Sequence, residues 1–139
     1  MANGCPGCGG GAGHQPCAIV RCSQRHGNVE YCFTCADYPC KRYDGAADFD
    51  SFLPRRNMFI DARRAKKIGL DAYYAELRQK EAFLRTLLAN YNDGRRKTFF
   101  CTATNLLCLA DIASVCQRLD QQKALSLPLK ERAALAVDL

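Results

Sequence analysis

The chain has 139 residues, ten of them cysteine, and a formal net charge of +6 at neutral pH. That length suits one domain, or one domain with a small appended module. No uninterrupted apolar run approaches the ~18 residues of a membrane-spanning helix, and the opening residues have neither a basic nor an apolar leader segment, so a cytoplasmic protein without membrane association is expected.

The positive charge is uneven. Residues 1–54 carry four basic and five acidic groups, residues 55–97 carry twelve and five, and residues 98–139 carry four of each. The whole excess therefore lies between Arg55 and Lys97, where it offers an anionic or acidic protein partner a basic face. Nucleic acid is the weaker version of that reading, because the candidate stacking aromatics among the charges, Tyr73, Tyr74 and Phe59, have the spacing of a core.

Seven cysteines fall in the first forty residues, as Cys5-Pro-Gly-Cys8, Cys17-Ala-Ile-Val-Arg-Cys22 and Cys32-Phe-Thr-Cys35-Ala-Asp-Tyr-Pro-Cys40. Thiolates at i and i+3 of a tight turn can face one cation, and in the cytosol such cysteines bind metal more often than they pair. Otherwise the first fifty residues offer mainly Ile19, Val20, Val29, Tyr31, Phe33, Tyr38, Tyr43 and Phe49 for a core, which is too little to fold alone. A bound metal would supply what that core lacks. Cys5, Cys8, Cys17, Cys22, Cys32, Cys35 and Cys40 are thus the candidate ligands. The number of sites and the pairing within them stay open, as does any part played by His14 or His26.

Zinc suits an all-thiolate tetrahedral set and needs no redox role. An iron–sulfur cluster is the alternative, with spacings that do not follow the ferredoxin patterns.

In chain order, residues 1–16 read as turns and residues 17–24 as one helical turn or a short strand. Val29, Tyr31 and Phe33 alternate, so residues 28–34 read as extended. A linker over 46–54 leads to a first long helix ending near Ile68, with Gly69 as its stop. A second helix runs from about Asp71 to Tyr91, with Tyr73, Leu77, Leu84, Leu87, Leu88 and Tyr91 as its buried stripe. Asn92-Asp93-Gly94 ends it. A third helix, from about Thr98 to Leu119, is apolar on most faces and reads as the central one. Cys101, Cys108 and Cys116 share one flank of it and read as core packing. Pro128 starts a short last helix.

Arg95, Arg96 and Lys97, at the start of the third helix, form a candidate anion-binding cluster with its free N–H groups. No Ser/His/Asp or paired-carboxylate arrangement is legible, so catalysis has no positive support.

The N-terminal cysteine pattern resembles the family called domain of unknown function 3795, uncharacterised bacterial and archaeal proteins. The resemblance rests on Cys5 and Cys8, on Cys17 and Cys22, on His26-Gly27 in the turn, and on Cys32, Cys35, Tyr38, Pro39 and Cys40 in the closing block. It covers residues 4–45 and implies metal binding without an established activity.

The expectation is a mainly α fold. A cysteine-rich metal-binding module (1–45) with little regular structure, followed by the linker, packs on an antiparallel bundle (55–139) of three long helices plus a short C-terminal one. Its expected function is that of a zinc-binding interaction module with a basic face, the alternative being an iron–sulfur or thiol redox sensor protein.

Overall fold

The computed structural model of the chain describes residues 17–46, 48 and 55–139, with the side chains of Arg55 and Arg56 left out. Cys5, Cys8, His14 and most of the expected linker, Pro54 included, lie outside the described residues.

Among the described residues the fold is helical. Six α-helices follow one another: α1 (Ala18–Arg25), α2 (Arg55–Ile68), α3 (Leu70–Asn90), α4 (Lys97–Leu106), α5 (Leu109–Gln121) and α6 (Leu129–Asp138). Single 3-10 turns occupy Cys32–Thr34, Lys41–Tyr43 and Ala124–Ser126, and no described residue is in a strand. The backbone groups two compact units, Met1–Lys67 and Ile68–Leu139. Helix α2 falls in the first of these, whereas the sequence reading grouped it with the bundle. Gly69 has a φ of +86°, a conformation that L side chains rarely adopt, so α2 stops at Ile68 and α3 starts anew.

The second unit holds the core. Leu87 of α3, Tyr91 just past its end, Phe100 of α4, Leu119 of α5, Ala124 of the last 3-10 turn and Ala136 of α6 are all buried together. Leu84, Leu88, Val115, Cys116 and Leu135 pack against them. Helix α3 contacts α4 and α5, and α5 contacts α6.

Four sequence expectations are corrected. The apolar third helix is two helices, because Leu107 and Cys108 are extended and part α4 from α5. A straight helix apolar on most faces cannot bury them all, whereas a break lets both halves meet α3. Even so, Phe99, Leu106 and Leu107 remain exposed.

The three cysteines of that segment therefore share no single flank, and Cys108 is exposed at the start of α5. In the α3 stripe, Leu77 is 41% exposed. Finally, residues 28–34 form no strand. Their alternation has no pairing partner, and the backbone closes into a 3-10 turn at Cys32 while Tyr31 and Phe33 stack, rings 5.5 Å apart. Residues 18–25 are fully helical, which settles the helix-or-strand choice there.

No helix among the described residues is long and apolar enough to cross a membrane.

Candidate metal centre

Helix α1 ends in a Schellman closure, with Gly27 at φ +84° and the Asn28 N–H donating to the Ser23 carbonyl at 2.8 Å. The Ser23 hydroxyl donates to the Val29 carbonyl and holds the outgoing chain. Cys22 and the capping residue His26, one turn apart, thereby lie on one side of the helix end. Cys17 caps the other end of α1, where its carbonyl accepts the Arg21 N–H.

Two short turns then place the remaining thiols. The Cys35 N–H donates to the Cys32 carbonyl, and the Tyr43 N–H donates to the Cys40 carbonyl. Side chains at i and i+3 of a 3-10 turn eclipse, so Cys35 follows Cys32 and Tyr43 follows Cys40 on the same side. The Tyr38–Pro39 peptide between the turns is cis.

The result is a cleft whose walls include Cys22, His26, Cys32, Cys35, Asp37 and Cys40. Its volume of about 30 Å³ leaves room for an ion. At its edge His26 Nδ1 lies 3.7 Å from Cys35 Sγ and 3.3 Å from Asp37 Oδ2. These three ligand atoms all fall within 4.8 Å of one another. Because Cys35 and Asp37 both face the same ring nitrogen, the trio is not a thiol–imidazole–carboxylate relay, which uses one ring nitrogen for each partner.

Four of the seven cysteines read from the sequence thus meet at one cleft. Cys17 caps α1 outside its walls, and Cys5 and Cys8 lie beyond the described residues. Asp37 was missed by the sequence reading, although a carboxylate between two cysteines of the Cys32–Cys40 block was the available signal.

Aromatic side chains back the cleft. Tyr43 meets Tyr38 edge-on at 5.2 Å and Phe59 of α2 at 5.6 Å. Burial pushes the Tyr43 phenol well up, and so, in lesser measure, do its hydrogen bond to Cys32 and the electrostatic repulsion that the neighbouring Cys32, Tyr38 and Cys40 would exert on an ionised phenol. Tyr38 is raised by burial first and Cys32 second, with the Arg63 guanidinium acting in the opposite sense. The phenols therefore remain protonated, and Tyr43 donates its O–H toward the Cys32 sulfur.

The Arg95–Lys97 cluster has partners of its own. Asn92 Oδ1 accepts the N–H groups of Gly94 at 3.1 Å and Arg96 at 3.2 Å, and Asp93 Oδ1 accepts that of Arg95 at 3.0 Å. Asp93 also lies 3.9 Å from Arg96 Nε. An anion here would compete with both side chains. On α2, Arg63, Lys66 and Lys67 are exposed at helical spacing.

No curated protein and no solved structure matches the chain. A family model does match the segment that builds the cleft: residues 1–45 fit the one described as Protein of unknown function (DUF3795).

Proposed function

We propose that the first unit is a zinc-stabilised module, and that the protein serves as an interaction module rather than a catalyst. The observation that carries this reading is the meeting of Cys22, Cys32, Cys35, Cys40, His26 and Asp37 at one ion-sized cleft. Zinc bonds of about 2.0–2.3 Å imply tetrahedron edges of roughly 3.3–3.7 Å between nitrogen, oxygen and sulfur ligands. The His26–Asp37 and His26–Cys35 separations of 3.3 and 3.7 Å suit such edges. Tyr43, donating to Cys32, supplies the outer hydrogen bond that orients a ligand sulfur.

The structural role rests on burial. Among the described residues of the first unit, Ala65 alone is buried. A unit with so little core draws its folding free energy from elsewhere, and a thiolate–metal cluster supplies it. Cys5 and Cys8, in the same family segment, are available as further ligands. The exposed Arg63, Lys66 and Lys67 stripe of α2 is the surface offered to an acidic partner.

Elemental analysis of anaerobically purified protein, with a visible spectrum beside it, tests the reading. One or two zinc ions per chain and no colour are expected. Iron with sulfide and visible absorbance would instead establish the cluster-bearing redox protein. A metal-free protein with intact fold would defeat both readings.

A further inference from the structure

The cysteine cleft gathers more donors than one ion takes. Cys22, His26, Cys32, Cys35, Asp37 and Cys40 all line it, whereas a structural zinc ion is closed by four ligands. The donors also differ in setting. His26 Nδ1, Cys35 Sγ and an Asp37 carboxylate oxygen lie within 4.8 Å of one another, and no other His, Cys, Asp or Glu donor among the described residues joins this group. The His26 and Asp37 side chains are 40% and 63% exposed, so an ion held by the trio keeps solvent on its remaining side.

A zinc ion with three protein ligands carries water or an incoming ligand in its fourth position. One free position admits one donor atom, which makes the incoming ligand monodentate. The charges say which kind it would be. The Cys35 thiolate and the Asp37 carboxylate together balance a divalent ion, and a neutral imidazole adds nothing. Arg42, in the wall of the same cleft, then remains as a positive charge outside the ligand set and offsets the charge of an anion.

We propose, on the basis of the zinc-module reading above, that His26, Cys35 and Asp37 hold their ion with one coordination position open to a small monodentate anion. Cys22, Cys32 and Cys40 are left for the structural site.

The test loads the full chain with cobalt(II), whose visible bands report its coordination, and titrates it with azide. A saturable shift of these bands is expected, with one azide bound per chain and the cobalt content unchanged after gel filtration. His26→Ala is expected to lose the shift, while sulfur-to-cobalt charge-transfer absorption from Cys22, Cys32 and Cys40 persists. Cobalt bands that azide leaves unmoved in the wild-type protein would overturn the proposal, since the chain then closes the site itself, and the zinc module would still stand. An undiminished azide shift in folded His26→Ala would also overturn it. Failure of the folded chain to bind either zinc or cobalt would defeat the zinc module and the open position with it.

Discussion

His26 and Asp37 stand 3.3 Å apart, Nδ1 to Oδ2, although the Gly27 turn and the Cys32–Thr34 turn lie between them in the chain. The same nitrogen faces Cys35 Sγ at 3.7 Å. Three donor types converging on one point, on an exposed rim, are more readily explained by a cation than by their own contacts, which are too long for strong hydrogen bonds. His26→Ala and Asp37→Ala should therefore each weaken zinc binding by about 10–100-fold, the range found when a ligand or its orienting partner is lost. Competition against a chromogenic chelator reads this directly. Wild-type affinity in both variants would remove these two residues from the site.

The cysteine cleft was legible in part because thiols at turn spacing carry their own geometry. Cys22, Cys32, Cys35 and Cys40 could be named from the sequence, but the 3-10 closure of Cys32-Phe-Thr-Cys35 could not, because the alternation of Val29, Tyr31 and Phe33 reads as extended. The place of His26 and Asp37 was not legible, since it depends on how the Schellman turn and the later turns meet in space. The helices show the same division. Gly69 and Asn92-Asp93-Gly94 mark chain stops by local chemistry and were readable. The Leu107–Cys108 break carries no glycine or proline, and it follows from burying two apolar faces against α3, a tertiary demand that no local pattern announces.

Removing the metal should affect the two units unequally. The first unit has Ala65 as its one buried residue among those described, while the second has a contiguous core around Phe100 and Leu119. Chelation followed by hydrogen exchange should strip protection from the amides of His26, Cys35 and Tyr43. The amides of α3 around Leu87 and of α5 around Leu119 should keep theirs. Equal loss in both units would show that the second core does not stand without the metal.

Within the second unit the cost of truncation should follow burial and not the sequence stripe. Leu119, 1% exposed, should cost about 2–5 kcal/mol when changed to Ala. Leu77, on the same nominal stripe as Leu87 but 41% exposed, should cost no more than ~1 kcal/mol. Denaturant unfolding with unchanged m-values measures both. Similar losses at the two positions would mean that Leu77 is covered in solution.

Alkaline pH should weaken the second unit through a buried phenol and a half-buried thiol. Cys116 is raised by burial first and by the Asp120 carboxylate second. Tyr91 is raised by burial first, then by Asp120 and Cys116, against a lowering by Arg132. Both groups are neutral when protonated, so the folded state holds their protons more tightly than the unfolded chain does. Their contribution to stability is fully present below the unfolded values, ~8.5 for a thiol and ~10 for a phenol, and declines as pH rises from there through the raised folded values. The denaturant midpoint should thus fall from about pH 8.5 upward, with a steeper fall above about pH 10. Cys116→Ala should flatten the first part of that decline, and Tyr91→Phe the second. A profile that neither substitution alters would locate the alkaline sensitivity elsewhere in the chain.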